Sequence, residues 1–380
     1  MEESLAALID ACEPGASAAL SGLETLVLES KYVPALEPNP ALIRLFYRKL
    51  TNPTLATKAS LCVIHGFGEH SGKYLRSAAL FALSGYEVHL IDQRNSGLSG
   101  GPRGHGDLFE FAKDVNKLMQ LARTDLPCYV WGHSQGGLLA TYIVQNNAYL
   151  RLAGLIITNP LYSLVKPVPA FMRKILPLMA DFLPFQAVSG SVITSNLSRD
   201  DSYLFNLFED PLAMPYLGLK HVSSMMTLMN SVTSNGKSLL CPLYLLHSKK
   251  DGVTNHQASA QFFESVGSAD KQIVLGEAAF HEQHHDLEKD QLIADIIQWM
   301  DARVEKAKPL SIVGSFKTQA VVRKSGGWGW RVLGLLLVIY VVGVLRFKAG
   351  LGAGVVRALV YGLLPKLLWP LFLLAGLVKR

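Results

Sequence analysis

The sequence Gly132-His133-Ser134-Gln135-Gly136 follows a short apolar run and precedes helix-forming sequence. Between a strand and a helix, this spacing predicts a sharp turn that exposes the Ser134 hydroxyl, because Gly132 and Gly136 let backbone approach backbone where a Cβ would clash. A serine hydroxyl is a poor nucleophile until a base takes its proton. If Ser134 is catalytic, the chain must therefore also supply a base, an acid that orients the base, and donors for an oxyanion.

Asp251 and His281 are the candidate acid and base. Each follows a short strand-like run, Asp251 within the sequence HSKKDG and His281 directly after Phe280. An imidazole between a serine and a carboxylate takes the serine proton while the carboxylate fixes the imidazole tautomer. The chain order serine, aspartate, histidine is that of the α/β-hydrolase fold and differs from the orders used by other serine hydrolase folds.

The oxyanion hole is expected from the backbone amides of Phe67 and Gln135. Phe67 lies in a glycine-containing turn after an apolar run, and Gln135 follows the candidate nucleophile. Preorganised amide donors of this kind contribute about 10²- to 10³-fold in rate each. His65 and Gly66 are expected to support this turn, His65 as a structural hydrogen-bonding residue and not as a base.

The elements that must position these residues alternate between apolar strands and helices. This alternation predicts a mostly parallel sheet flanked by helices on both faces, with the chemistry at the carboxyl ends of the strands. The predicted strands are 25–29, 42–47, 59–64, 87–91, 128–131, 152–158, 242–246 and 272–275, and the predicted helices are 74–83, 107–123, 135–146 and an amphipathic one near 293–304. Residues 1–23 are expected to add a peripheral helix.

The alternation stops after residue 159, and residues 160–236 are interpreted as a helical cap inserted into the sheet domain. Apolar residues recur there at helical spacing between Val168 and Phe182, and Pro177 is expected to break this stretch into two. The apolar face would either pack on the cap's own core or form an exposed lip that admits a lipid chain. The predicted units are an N-terminal extension, the first part of the core, the cap, the second part of the core, a basic linker and an apolar tail, at residues 1–23, 24–159, 160–236, 237–307, 308–327 and 328–380.

Charge divides the chain near residue 305. Twelve of the 36 Lys and Arg follow Glu305, which leaves 24 basic residues against all 30 acidic ones, a net charge of −6, in residues 1–305. An acidic globular domain argues against nucleic acid as a partner. Basic residues that flank apolar segments, in contrast, favour a membrane surface.

Residues 332–345 and 358–378 are the apolar segments of the tail. At about 1.5 Å per residue, the first spans roughly 21 Å, which is short of the ~30 Å hydrocarbon core of a bilayer. The second is long enough but contains two prolines and a lysine. We therefore expect a C-terminal membrane-associated helical tail, as a hairpin or as interfacial segments, with three tryptophans at headgroup depth, Trp328, Trp330 and Trp369.

The N-terminus and the cysteines indicate the cellular compartment in which the protein is expected. The start of the chain has no basic region followed by an apolar core, so no secretory signal peptide is expected. The four cysteines have no metal-like spacing and are expected to be buried free thiols in a reducing compartment. The expected location is a membrane with the catalytic domain facing the cytosol, either the endoplasmic reticulum or a lipid droplet. The four residues are Cys12, Cys62, Cys128 and Cys241.

Five motifs resemble the monoacylglycerol lipase and lysophospholipase branch of the α/β hydrolases, within the wider group of serine aminopeptidase S33-like enzymes. They are HGFGEHSGKY at 65–74, GHSQGG at 132–137, LSRDDSYLFNLFEDPL at 197–212, HSKKDGVT at 247–254 and AAFHE at 278–282. The similarity runs from about residue 32 to residue 304. It implies Ser134 as nucleophile, Asp251 as acid, His281 as base, Phe67 and Gln135 as amide donors, and an acyl-binding tunnel under the cap.

One loop departs from the family pattern. The family's usual Asp-x-Arg-Gly-His-Gly-x-Ser begins here at Asp92 and has Asn95 and Ser96 in place of Gly and His. This loop is expected to support the site and to affect headgroup preference. Asp92 and Arg94 are expected to form a buried salt bridge with each other.

A metal-dependent alternative lies at the candidate base. Residues 281–285 fit His-Glu-x-x-His, which on a helix places two imidazoles on one face as zinc ligands. The pentapeptide follows directly on a strand end, so that only part of it is expected to be helical, and zinc accounts for neither Ser134 nor Asp251. A serine mechanism without metal or organic cofactor is therefore expected.

Together these features predict a membrane-associated serine hydrolase that cleaves the acyl ester of a monoacylglycerol or a lysophospholipid through an acyl-Ser134 intermediate. Two alternatives outside simple hydrolysis remain open, namely a transacylase that passes the acyl group to an alcohol, and a non-catalytic membrane-tethered binding module. The sequence leaves the headgroup, the acyl length and the oligomeric state undetermined.

Overall fold

The computed structural model describes residues 3–35, 43–147, 150–189 and 197–310. Eight of its strands form one sheet and two short ones form a separate pair within the cap. In chain order the strands are β1 Val27–Pro34, β2 Arg44–Thr51, β3 Ala59–Ile64, β4 Tyr86–Ile91, β5 Cys128–His133, β6 Gly154–Thr158, β7 Ala187–Ser189, β8 Tyr216–Gly218, β9 Leu243–Ser248 and β10 Lys271–Gly276.

The large sheet has the strand order β1-β2-β4-β3-β5-β6-β9-β10. Strands β1 and β2 pair antiparallel with each other, β2 pairs antiparallel with β4, and all the remaining pairs are parallel. Every residue of β3, β4, β5, β6 and β9 is buried, which explains why these strands are almost continuously apolar in sequence. The predicted α/β fold with a mostly parallel sheet is thereby confirmed.

Helices cover both faces of this sheet. In chain order they are α1 Leu5–Cys12, α2 Leu75–Leu83, α3 Leu108–Leu121, α4 Gln135–Gln145, α5 Ala170–Phe182, α6 Asp201–Glu209, α7 Leu219–Thr233, α8 His256–Ser265 and α9 Lys289–Val304. One apolar core joins the sheet to α3, α4, α7 and α8, and a second joins the opposite face to α1, α2 and α9. Helix α7 belongs to the cap in sequence, yet it packs into the main core.

Helix α5 passes through Pro177 without interruption, so the expected break into two segments is wrong. Proline removes one backbone N–H, which leaves the carbonyl of Arg173 without its helical donor. Arg173 is solvent-exposed, so water can satisfy that carbonyl and the helix continues. The apolar residues of α5 divide between the two expected roles, because Leu176 packs against Leu219 whereas Phe171 is 64% exposed.

The N-terminal segment is more deeply packed than the expected peripheral helix. Ile9 of α1 belongs to the second core, and Glu13, directly after α1, is only 6% exposed. Glu13 Oε1 lies 2.6 Å from His285 Nδ1, and Glu13 Oε2 lies 3.1 Å from Lys289 Nζ. These contacts attach the start of the chain to the segment that follows the candidate base.

All four cysteines are free thiols, but only Cys62 and Cys128 are fully buried, whereas Cys12 and Cys241 are half-buried. The expected membrane tail and most of the linker, residues 311–380, lie outside the described residues. Among the helices in the ranges that the structure describes, none combines the length and the apolar character needed to cross a bilayer.

Candidate active site

Ser134 occupies a strained turn between β5 and α4. Its backbone has φ 51° and ψ −117°, a conformation that L-residues rarely adopt and that the surrounding structure must hold in place. The flanking glycines are required by close backbone contacts, because a Cβ on Gly132 would lie 2.6 Å from the Gly136 carbonyl oxygen and one on Gly136 would lie 2.6 Å from that of His65. The sequence therefore forms the sharp turn that its spacing predicts.

The three residues that sequence reasoning selected for a triad lie in one hydrogen-bonded line. His281 Nε2 is 3.0 Å from Ser134 Oγ, and His281 Nδ1 is 2.7 Å from Asp251 Oδ2. Each residue follows the carboxyl end of a strand, namely β5, β9 or β10, and all three are less than 9% exposed. Parallel pairing brings these strand ends to one edge of the sheet, which explains how positions distant in sequence meet.

Asp251 has more partners than the motifs indicated. Its Oδ2 also accepts hydrogen bonds from Asn159 Nδ2 at 2.7 Å and from Thr254 Oγ1 at 2.6 Å, and its Oδ1 accepts from the backbone N–H groups of Val253 and Thr254 at 2.7 and 2.9 Å. His247 Nε2 lies 3.3 Å from Oδ2. Sequence reasoning missed these supporting residues, although His247 and Thr254 bound the same motif and Asn159 follows β6 at the same edge of the sheet.

This environment sets the ionisation of the base. Burial alone would lower the pKa of His281, but the charge of Asp251 and its hydrogen bond outweigh burial and raise the pKa to about 9. The pKa of Asp251 is held far below its usual range, because its interactions with His281 and His247 exceed the penalty of burial. The carboxylate thus remains ionised and keeps the Nδ1 proton of His281 pointing towards it, which leaves Nε2 to face Ser134.

The turn of residues 65–68 contacts the cap. Gly66 N–H donates to Glu69 Oε2 at 2.6 Å, which fixes the peptide between His65 and Gly66. His221 of α7 contacts both predicted oxyanion residues, because its Nε2 lies 2.7 Å from the Gln135 side-chain oxygen and its ring packs edge-on against Phe67 at 5.5 Å. The cap thereby touches the side chains on both sides of the expected oxyanion hole.

His65 is a structural hydrogen-bonding residue, as expected. The backbone N–H of Gln93 donates to His65 Nε2 at 3.0 Å, so that Nδ1 is left to donate to the Gly66 carbonyl at 2.8 Å. Gln93 Nε2 also donates to the His65 carbonyl at 2.7 Å. With both ring nitrogens engaged and the ring buried, His65 is unavailable as a base.

The expected salt bridge between Asp92 and Arg94 is wrong, because the two side chains point to different partners. Arg94 pairs with Asp114 of α3, Nε to Oδ2 at 2.5 Å. Asp92 instead accepts the backbone N–H groups of Ser71 and Leu98, each at 2.7 Å. Asp92 thus fixes the loop after the oxyanion turn, a role that its position at the end of β4 permits.

Asn95 stands where the related family usually has glycine. Its φ is 65°, in the left-handed region that Asn tolerates better than other side chains do, and its Nδ2 donates to the His105 carbonyl at 2.5 Å. Asn95 therefore adopts a left-handed backbone conformation that glycine would also permit.

Asp210 links the cap to the oxyanion turn. Its Oδ2 lies 2.9 Å from His70 Nε2 and 2.8 Å from Lys73 Nζ, and the side chain of Lys73 is only 1% exposed. A third link joins the Met214 N–H to the Gly68 carbonyl at 3.1 Å. Movement of residues 210–214 must therefore move the turn that contains Phe67.

We expect Asp210→Ala to lower both stability and kcat. Removing one partner of a buried ion pair costs about 3–5 kcal/mol, and the lower end applies here because Asp210 is partly exposed. A displaced Phe67 amide would lower kcat by up to about 10²-fold with little change in KM. Thermal unfolding and steady-state kinetics on a soluble ester measure both effects. Asp201→Ala, at an exposed acid of the adjacent α6, is the matched control, and equal values for the two variants would contradict the link.

The zinc motif at residues 281–285 does not form its helical ligand pair. Gln283–His285 is a short 3-10 turn, His281 faces Ser134 and Asp251, and the Nδ1 of His285 faces Glu13. The two motif imidazoles thus have different partners. The zinc protease hypothesis therefore fails on geometry.

Comparison with known proteins agrees with this fold. The Hydrolase_4 family model, described as serine aminopeptidase, S33, matches residues 56–288. An uncharacterized abhydrolase domain-containing protein of Dictyostelium discoideum is 31% identical over 258 residues, which is 67% of this chain but only 28% of that protein. The monoglyceride lipase of Homo sapiens is 29% identical over 269 residues, covering 67% of this chain and 86% of its own length.

Among solved structures, a soluble variant of monoglyceride lipase from Saccharomyces cerevisiae in complex with a substrate analog is similar, with a TM-score of 0.64 at 23% identity. The match covers 73% of this chain and 96% of that one, and at this identity it supports the fold alone.

The parallel sheet, the strained serine turn and the Ser-His-Asp line define a serine ester hydrolase with the α/β-hydrolase fold. The family match covers more than half of the chain. The chain therefore belongs to the Hydrolase_4 (serine aminopeptidase, S33) family and lies in its branch similar to monoglyceride lipases.

Proposed function

We propose that this protein is a membrane-associated hydrolase of single-chain lipid esters, with monoacylglycerol or lysophospholipid as substrate and Ser134 as nucleophile. The hydrogen-bonded line from Ser134 through His281 to Asp251 is the observation that carries the proposal. Relatives named monoglyceride lipase support the substrate class.

The geometry supports a two-step acyl transfer. His281 Nε2 takes the Ser134 Oγ proton as Oγ attacks the ester carbonyl, and the amides of Phe67 and Gln135 stabilise the resulting oxyanion. His281 then gives the proton to the departing alcohol, which leaves an acyl-Ser134 ester. Water attacks this ester with His281 again as base, and the fatty acid and free Ser134 are regenerated.

The cap supports a lipid substrate. Ser134 is 7% exposed beneath it, whereas four phenylalanines of the cap are between 59% and 67% exposed. Exposed aromatic side chains on a soluble domain favour contact with an apolar phase. The exposure of these side chains supports contact of the cap with a lipid phase. The four residues are Phe171, Phe185, Phe205 and Phe208.

The substrate class is tested with purified full-length protein in mixed micelles. Monoacylglycerols and lysophospholipids should release fatty acid, and Ser134→Ala should not. Diacyl lipids and peptide amides serve as comparison substrates. Turnover of peptide amides without turnover of monoacyl lipids would overturn the proposal.

Product analysis in ¹⁸O-labelled water, with and without glycerol or lysolipid as acceptor, separates hydrolysis from acyl transfer. Label in the fatty acid supports hydrolysis, whereas acyl transfer to the added alcohol would identify a transacylase.

Removing residues 325–380 should move the protein from the membrane fraction to the soluble fraction. Those residues contain the apolar, acid-free segments of the chain. The folded domain extends to Leu310, which is 4% exposed and hydrogen-bonds to Leu126, so the shortened chain should keep its activity on a soluble ester. Sedimentation in low and high salt measures the change. A shortened protein that still sediments with membranes in high salt would place the anchor elsewhere.

A further inference from the structure

A second group of buried titratable side chains lies beside the triad and takes no part in the proposed mechanism. Glu69, His284 and His285 are each at most 3% exposed, and each offers a ligand atom that lies within 4.8 Å of those of the other two. Glu69 belongs to the segment after the oxyanion turn, whereas His284 and His285 lie between the base and α9. The group therefore joins the two loops that hold the reacting atoms.

Several atoms of this group lack the partners that buried polar atoms normally have. Glu69 Oε1, both ring nitrogens of His284 and Nε2 of His285 are buried without a hydrogen-bond partner. Glu69 Oε1 lies 3.8 Å from His284 Nε2, which is beyond hydrogen-bond distance. Buried polar atoms without a partner require something bound between them or a proton shared by them.

Two of the three ligands, Glu69 and His285, have their other polar atom held as it is around bound metal ions, whereas His284 Nδ1 has no partner among the described residues. Glu69 Oε2 accepts from Gly66 N–H at 2.6 Å and from the Tyr74 hydroxyl at 2.7 Å, which leaves Oε1 free. His285 Nδ1 lies 2.6 Å from the Glu13 carboxylate, an arrangement that leaves the Nε2 lone pair free. Metal-bound histidines almost always donate their second ring nitrogen in this way.

We propose that Glu69, His284 and His285 bind one divalent transition-metal ion, with Glu282 as a fourth ligand. Two imidazoles with one or two carboxylates form a donor set that zinc prefers over calcium or magnesium. Glu282 Oε2 lies 3.7 Å from His284 Nε2 and 3.1 Å from His133 Nε2, so Glu282 must turn away from His133 to bind the ion. Donor atoms around a tetrahedral zinc are about 3.4 Å apart, so the contacts of His284 Nε2 with Glu69 and Glu282, at 3.8 and 3.7 Å, need to shorten by a few tenths of an ångström. A contact at the 4.8 Å limit of the group needs to shorten by about 1.4 Å.

This site differs from the His-Glu-x-x-His hypothesis and goes beyond the proposed function. His281 stays in the triad, and the ion takes no part in acyl transfer. Its role is structural, because it connects the oxyanion segment, the loop of the base and, through Glu13, the N-terminal segment.

Metal content of the full-length protein tests the proposal directly. Protein purified in detergent from zinc-supplemented cells should contain one zinc per chain by plasma mass spectrometry, and Ser134→Ala should contain the same amount. His284→Gln and His285→Gln should lose the ion while keeping the far-UV circular dichroism of the fold. Glu13→Gln should weaken zinc binding by about tenfold or more, because it alters the partner of a ligand.

His89→Gln is the matched control. His89 is equally buried, but its Nδ1 meets the Tyr47 hydroxyl at 2.7 Å and its Nε2 meets Glu87 at 2.9 Å, so it has no free lone pair. This variant should keep its zinc. Wild-type protein without metal that also takes up none on refolding with zinc would overturn the proposal, as would unchanged metal content in both ligand variants.

If the ligand variants fail to fold, cobalt-substituted wild-type protein still tests the proposed metal site. Tetrahedral cobalt bound to nitrogen and oxygen gives visible d–d bands without a thiolate charge-transfer band. The absence of d–d bands, or the presence of a thiolate band, would overturn the assignment. A pure hydrogen-bond network of the same residues would give no cobalt spectrum.

Discussion

Ser134→Ala is expected to lower kcat on a monoacyl lipid by at least 10³-fold, and by about 10⁶-fold if the rest of the site stays intact. Without Oγ, His281 has no nucleophile to deprotonate, and only the amide donors and substrate binding remain. The fold should be unaffected, because alanine adopts the backbone conformation of Ser134, φ 51°, no less readily than serine does. Fatty-acid release and labelling by a fluorophosphonate measure the two consequences.

Ser163→Ala is the control for this experiment. Ser163 follows β6 at the same edge of the sheet, and within the described part of the chain its hydroxyl makes only a long local contact, 3.4 Å to the Leu164 carbonyl. It should keep both activity and labelling. Full turnover by Ser134→Ala, or labelling by the fluorophosphonate equal to that of the wild type, would contradict Ser134 as nucleophile.

The sheet and the triad could be predicted because both follow from patterns in the local sequence. Buried parallel strands are apolar along their whole length, and the polar residues that follow β5, β9 and β10 must meet at one edge. Ser134, Asp251 and His281 were found for this reason, without knowledge of any contact between them.

The contacts of the supporting residues could not be predicted because their partners are distant in sequence. Nothing local in α7 indicates that His221 touches Gln135 and Phe67, and nothing near residue 13 indicates that Glu13 meets His285. The sequence pairs Arg94 with the nearest acidic residue, Asp92, whereas in the structure Arg94 pairs with Asp114 on α3. The sequence predicts a helix break at Pro177 because it does not show that Arg173 faces solvent.

Asp251→Asn is expected to lower kcat by about 10⁴-fold, because it reverses the polarity of the contact with His281. The backbone N–H groups of Val253 and Thr254 donate to the Oδ1 position and cannot reorient, so the asparagine oxygen is expected there. At the Oδ2 position the Thr254 hydroxyl can rotate to accept, whereas Asn159 Nδ2 loses that acceptor. The amide NH₂ then occupies the Oδ2 position and donates to His281 Nδ1. The Nε2 proton consequently points at Ser134, and the imidazole cannot take the serine proton.

The same variant should also move the pH dependence of kcat/KM. His281 must be neutral to act as a base, so in the wild type kcat/KM should rise tenfold per pH unit below the pKa of about 9 and level off above it. Asp251 raises this pKa against the effect of burial, so its neutralisation should lower the pKa and shift the rising limb to lower pH. The variant should thus show a much lower plateau that is reached at a lower pH.

Profiles from about pH 5 to 10 on a soluble ester measure both changes. Asp125→Asn, at an exposed aspartate paired with Arg123, should reproduce the wild-type profile. A plateau within tenfold of the wild type would show that Asp251 does not orient the base. A lower plateau with an unmoved limb would show that a group other than His281 titrates, because no charge other than Asp251 raises the pKa of His281 as strongly.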